Sequence, residues 1–164
     1  MGERSIEIVE WSPSDERYAA GYLALMNHYA EDRAGGGQSL PDDVRERLIP
    51  ALRERDDALI LLALDADEVV GLANCFEGFS TFAARPLLNL HDLVVHAESR
   101  GRGIGTQLLA RLSELARERG CCKVTLEVLE GNVGAQALYR RVGFAGYALD
   151  SEFGQAMFWQ QKID

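Results

Sequence analysis

The chain has 164 residues, 47% hydrophobic and 26% charged, with a formal net charge of −9. That length suits one compact soluble domain, and the composition excludes disordered and fibrous classes. The longest apolar run, 58–64, is far below the ~20 residues that span a bilayer, and the acidic balance argues against a nucleic-acid partner.

In chain order, Ser5 to Trp11 alternates apolar and polar residues, the pattern of a half-buried strand. Ser12-Pro13-Ser14-Asp15 reads as a helix cap, Ser12, with proline at the first helical position, followed by Ala19, Tyr22, Leu23 and Met26 at helical spacing. Gly35-Gly36-Gly37 breaks the pattern, so 31–40 is expected to be a mobile loop. A second helix runs from Pro41, with Pro50 expected to end or kink it. Leu59–Leu64 and Val69–Phe76 form a hairpin whose loop is slightly longer than the tightest turns. Leu87–His96 is the fourth strand, and a helix from about Gly103 to Arg119 carries Ile104, Leu108, Leu112 and Leu115 on one stripe. Lys123–Leu129 alternates again, Asn132–Val142 is helical, and two short strands near Phe144–Leu149 and Ala156–Gln161 close the chain. The expected fold class is α/β with a mixed sheet of about seven strands flanked by four helices, in one domain over 1–164.

Cys75, Cys121 and Cys122 show no CxxC spacing, and His28, His91 and His96 no HExxH, so neither a disulfide framework nor a metal site is expected. With a charged N-terminus lacking an apolar leader core, this makes the cytoplasm the expected location. Charge is uneven: five arginines between Arg100 and Gly120 face only Glu114 and Glu118, a local +3, so the remainder carries −12.

Those arginines begin at Arg100-Gly101-Arg102-Gly103-Ile104-Gly105-Thr106. A helix start offers unpaired amides and a partial positive charge to an anion, and glycines let a phosphate approach the backbone. The dinucleotide fingerprint fails, because Thr106 or Leu108 stands where it needs its third glycine, and the P-loop fails because this stretch holds no lysine. Arg-x-x-Gly-x-Gly fits. One strand later comes Asn132-Val133-Gly134-Ala135-Gln136-Ala137-Leu138-Tyr139-Arg140-Arg141-Val142-Gly143-Phe144.

These two segments resemble the GNAT superfamily of N-acetyltransferases, whose second motif reads N-x-x-A-x-x-L-Y-x-x-x-G-F. The resemblance covers most of the chain from about Leu59 onward. It implies a sheet splayed between strands 4 and 5 and acetyl-CoA as co-substrate. The pyrophosphate would lie on the turn from Arg100 to Thr106, and the pantetheine arm along the backbone of Leu93, Val94 and Val95. Asn132 and Ala135 would lie near the cofactor, and Tyr139 would be the general acid for the departing thiolate. Leu90-His91-Asp92-Leu93-Val94-Val95 is similar to the L-E-D-x-x-V strand of polyamine N-acetyltransferases, with His91 in place of the glutamate base. A histidine can take a proton near neutral pH, yet it loses the charge that draws a cationic amine. His91 is thus either the base or a structural residue, and Asp92 holds either a turn amide or a substrate ammonium. Adjacent strand residues face opposite ways, so both reach one cleft only if a bulge re-aims one of them.

Substrate selection is expected from 26–40, 76–82 and 151–158, which contain Tyr29, Glu31, Asp32, Phe79, Phe82 and Glu152, with Asp150 adjacent. Such acidic and aromatic residues suit a primary amine on a small molecule. The rival readings are a catalytically silent acyl-CoA-binding regulator and a protein or peptide N-acetyltransferase. Pairing of two copies through C-terminal strands or sheet edges is a further implication of the resemblance.

Overall fold

Alternation in the first strand and unbroken apolar runs in the next ones set the architecture: a sheet covered on both faces. The computed structural model describes residues 5–150 and 152–163. The chain divides into two compact units, 1–126 and 127–164.

In the first unit, β1 (Ile6–Trp11), β2 (Ala58–Asp65), β3 (Glu68–Ser80), β4 (Arg85–Val95) and β5 (Val124–Leu126) lie in that spatial order. The first four are antiparallel neighbours, and β5 is parallel to β4. α1 (Ala19–Glu31) and α2 (Asp42–Arg53) cover one face. There Trp11, Tyr22, Leu25, Ile49 and Leu52 pack on Ile60, Leu62, Leu64, Leu72 and Val94. The residues between these on β2 and β3, such as Leu61, Ala63, Ala73 and Cys75, face the other way. They are fully buried with α3 (Ile104–Glu118), whose Ile104, Leu108, Leu109, Leu112 and Leu115 are buried. Gly71 permits this closeness: a Cβ there would lie 3.0 Å from Ile104 Cγ2 and 3.1 Å from Ala63 Cβ.

Four expectations need correction. Asp15, not Ser12, caps the first helical segment, accepting from the amide of Arg17 at 3.0 Å. α2 continues through Pro50 to Arg53, because burying Ile49 and Leu52 offsets the ~3 kcal/mol cost of the missing N–H and crowded ring. The β2–β3 turn is a tight one, with Asp65 paired to Glu68 and Ala66 at a φ of 57°. The loop after α1 is pinned by hydrogen bonds: Gly35 N and Gly37 N donate to Asp32 O, Ala34 N to Asp32 Oδ1, and Leu40 N to Asn27 Oδ1. A Cβ at Gly35 would overlap the Tyr29 carbonyl, so glycine is required there.

The second unit carries α4 (Val133–Arg141). Asn132 caps it, its Oδ1 accepting from Ala135 N at 3.1 Å. The two closing strands expected at 144–149 and 156–161 are absent among the described residues, so the sheet has five strands rather than seven. One backbone bond, Ala156 N to Tyr147 O at 2.8 Å, joins those segments. A lone pair of short segments is marginal as a ladder.

Candidate active site

The fourth strand contains a bulge at His91. Across β3–β4, Asn74 pairs with Asp92 and Cys75 with Leu90, so His91 is the extra residue. Leu90 therefore shares the α3 face with Cys75, while Asp92 shares the α1 face with Asn74. His91 meets the edge of the Phe76 ring, centroids 5.7 Å apart and planes at 78°, and Phe76 packs on the α1–α2 core. In a regular strand, neighbouring side chains diverge. Here the bulge turns His91 and Asp92 to one side.

Asp92 sits in a built environment. Asn74 Nδ2 donates to Asp92 Oδ2 at 2.9 Å and lies 3.4 Å from Met26 Sδ. The Tyr22 hydroxyl donates to Asn74 Oδ1 at 2.9 Å. Burial, opposed in part by the Asn74 bond and reinforced by the Asp92 charge, drives the Tyr22 hydroxyl far above the usual phenol range, so it stays a donor. Tyr29, half-buried on the same helix, is also pushed up, first by burial and then by the charges of Asp92 and Asp32. Asp92 thus holds a side-chain amide rather than the turn amide weighed above. The network partner Asn74 was missed in the sequence. Its signal was a polar residue inside the apolar run Val69–Phe76.

Beyond Leu90, β4 has no partner in β5. The β4–β5 ladder ends at the Leu90–Leu126 pair while β4 runs on to Val95. Of the three expected backbone contributors, Val94 lies in the α1-face core, and Leu93 and Val95 face α3 half-buried. Val95 O accepts from Arg100 Nε at 3.2 Å.

The glycine turn follows. Gly101 and Gly103 have φ of 80° and 75°, and a Cβ at either would meet nothing within 4 Å. The first intrahelical bond of α3 is Gln107 N to Gly103 O, so the amides of Ile104, Gly105 and Thr106 precede the helical ladder, and no side chain caps Gly103. Both arginines of the turn are engaged. Arg100 lies 3.3 Å from Asp32 Oδ2, and Arg102 lies 2.7 Å from Asp65 Oδ2. The open cradle is therefore made of backbone, and it fits a pyrophosphate through amides and the helix dipole.

Other candidates are placed as follows. Cys75 is fully buried, and burial with the Asp92 charge pushes its thiol up to about 12, which excludes it as an accessible nucleophile. Glu31 accepts from Ser39 and Asn27, and Asp32 from Ala34 and Arg100, so both serve the loop. Phe79 and Phe82 are exposed near the β3–β4 connection. Asp150 Oδ1 accepts from Glu152 N at 2.8 Å, while Ser151, which opens the third expected selection segment, lies outside the described residues. In the second unit, Tyr139 meets Phe144 edge-on at 5.9 Å, and Asn132 Oδ1 is committed to the cap. Among the described residues, no group of three or more His, Cys, Asp or Glu could hold a metal ion, and no helix is long and apolar enough to cross a membrane.

A bulged strand that feeds an amide-lined helix start is the arrangement that the resemblance to N-acetyltransferases implies. The acetyltransferase (GNAT) family profile matches residues 22–144, and the chain belongs to that family. It is 33% identical over 131 residues to the L-methionine sulfoximine/L-methionine sulfone acetyltransferase of Pseudomonas aeruginosa, covering 76% of this chain and 73% of that one. It is 36% identical over 75 residues to the thialysine N-epsilon-acetyltransferase of Bos taurus, covering 46% and 44%. To the streptothricin acetyltransferase of Streptomyces lavendulae it is 37% identical over 103 residues, covering 62% and 52%. The matches thus span about half the length of the last two relatives. A solved probable acetyltransferase superposes with a TM-score of 0.77 at 25% identity, covering 96% of this chain and 99% of that one.

Proposed function

We propose that residues 1–164 act as one N-acetyltransferase domain that moves the acetyl group of acetyl-CoA to a primary amine of a small molecule, by direct attack in a ternary complex. The observation that carries this reading is the bulge at His91, which turns a titratable base and a carboxylate to one face beside Tyr29 and Phe76.

In this reading Asp92 holds the incoming ammonium and His91, directly or through water, takes its proton, since attack requires a neutral nitrogen. The turn from Arg100 to Thr106 binds the pyrophosphate through its amides. The backbone of Leu93, Val94 and Val95 aligns the pantetheine arm, and an amide of this stretch polarises the thioester carbonyl as negative charge develops on its oxygen. Asn132 and Ala135 contribute near the cofactor at the start of α4. Tyr139 donates the proton that the departing thiolate needs. No covalent enzyme intermediate is required, in keeping with the buried Cys75. The names of the relatives favour small amines. The reading includes a cytoplasmic location, which the free cysteines favour, and a homodimer, which the family resemblance implies.

The test is CoA release from acetyl-CoA across polyamines, amino acids, aminoglycosides and peptide N-termini. Release with one small-amine class supports the reading. Release only with peptides moves the assignment to a protein acetyltransferase. Tight acetyl-CoA binding without release from any amine would replace it with a silent acyl-CoA-binding regulator.

A further inference from the structure

Asn74 is 3% exposed in the middle of an apolar strand, where an aliphatic side chain would be the simpler occupant. All three ends of its amide are used. Oδ1 accepts from the Tyr22 hydroxyl, and Nδ2 faces both Asp92 Oδ2 and Met26 Sδ. The chain of bonds runs in one direction. Tyr22, itself fully buried, can donate to Asn74, and the amide is thereby turned with its donor end toward the carboxylate. The flipped amide would set its oxygen against Asp92, acceptor against acceptor. A buried polar network with every member bonded is rigid. Asp92 is thus anchored through Oδ2, which leaves Oδ1 as its second acceptor.

We propose that Tyr22 and Asn74 are positioning residues that aim the Asp92 carboxylate, and that this relay makes the cleft select amines arriving as cations. The inference rests on the acetyltransferase reading above and deepens it by naming the substrate class. The relay lies in the residues of this chain: Tyr22 from α1 and Asn74 from β3 converge on the residue that follows the bulge in β4.

A matched pair of amines tests it. 2-Phenylethylamine is a cation at mildly alkaline pH, whereas its β,β-difluoro analogue is largely uncharged there and nearly the same shape. The wild-type protein should acetylate the cation with the lower KM. Asn74→Leu should raise the KM for 2-phenylethylamine about 10-fold, the size expected for losing a hydrogen bond to a charged group. The KM values for the difluoro analogue and for acetyl-CoA should stay within about twofold. Tyr22→Phe keeps the ring packing and removes the orienting donor, so its effect should have the same pattern and smaller size. Asp92→Asn should abolish the preference, and Asn74→Leu added to it should cost nothing further.

Equal KM increases for both amines, or additive effects of the Asn74 and Asp92 substitutions, would reduce Asn74 to a packing residue and overturn the inference while the acetyltransferase reading stands. So would a wild-type protein that acetylates both amines without preferring the cation. If neither amine is acetylated, calorimetric binding of the same pair to the CoA-saturated protein makes the same comparison, and absence of cation preference there again overturns it. Failure of the broader amine panel would separately overturn the functional reading.

Discussion

Gly103→Ala, paired with Gly120→Ala, separates folding from ligand binding at the glycine turn. The two glycines flank the same helix. Gly103 is the N-cap of α3 at a φ of 75°, Gly120 follows its last turn at 71°, and a Cβ at either meets no atom within 4 Å. With no clash in either case, each substitution should cost only the left-handed backbone strain of an L-residue, about 1–2 kcal/mol. In a domain of this size that is a Tm drop of about 2–8 °C for both. Their ligand effects should diverge. Gly103 immediately precedes the amides of 104–106, where a pyrophosphate would lie, so strain and a methyl group there should raise the Kd for acetyl-CoA at least ~10-fold through the loss of one charged hydrogen bond or more. At Gly120 it should stay within about twofold, since that end of α3 closes on Arg117 O and accepts from Arg85 at 2.9 and 3.1 Å, at the opposite end of the helix from the glycine turn. Thermal melts with isothermal titration of acetyl-CoA read both quantities. Equal Tm losses with unchanged acetyl-CoA affinity in both variants would refute the cradle and leave the turn as a helix start only.

Tyr139→Phe should lower kcat about 10²-fold while acetyl-CoA affinity holds within twofold, measured by CoA release and titration. An unchanged kcat would remove Tyr139 from the chemistry. Cys75→Ala should retain turnover, and mass spectrometry after incubation with acetyl-CoA should find no acetylated thiol in the parent protein. The Cys75 thiol also carries a pH signature. Its folded pKa, about 12, lies above the ordinary value of 9.0, so the unfolded chain loses this proton first. That contribution to stability is intact below about pH 9 and fades as pH rises toward 12. Cys75→Ala should flatten that alkaline decline in melts taken across the interval.

The sequence made the glycine turn, the α3 stripe and the alternating first strand legible because each depends on local chemistry: positive φ, helical period and period-two alternation. What it hid depends on pairing. The bulge at His91 is a property of two strands, and only the register of β3 against β4 shows that His91 and Asp92 share a side. Asn74 stood out as a polar residue in an apolar run, but its role needed Tyr22, 52 residues earlier, and Asp92, 18 residues later. Pro50 misled for a related reason. The local cost of proline is visible in sequence, whereas the burial of Leu52 beyond it appears only once α2 is laid on the sheet. The two closing segments had strand-like composition but lack a ladder, and composition alone does not supply a neighbour.

The charges of the turn illustrate how structure revises a composition argument. Read alone, five arginines in 21 residues suggest an anion site built from cations. In the fold, Arg102 is spent on Asp65 at the end of β2, and Arg100 on Asp32 and the Val95 carbonyl. Arg100 therefore ties three pieces together: the loop after α1, the last residue of β4 and the start of the turn. In the proposed reading, amides left free by glycine bind the anion, and arginines hold those amides in place. The same division is proposed at Asp92, where the carboxylate would meet the amine and Tyr22 and Asn74 hold the carboxylate. In both halves of the proposed site, binding would fall to groups whose direction is fixed by buried or paired neighbours, which is what the proposed direct attack in a ternary complex demands.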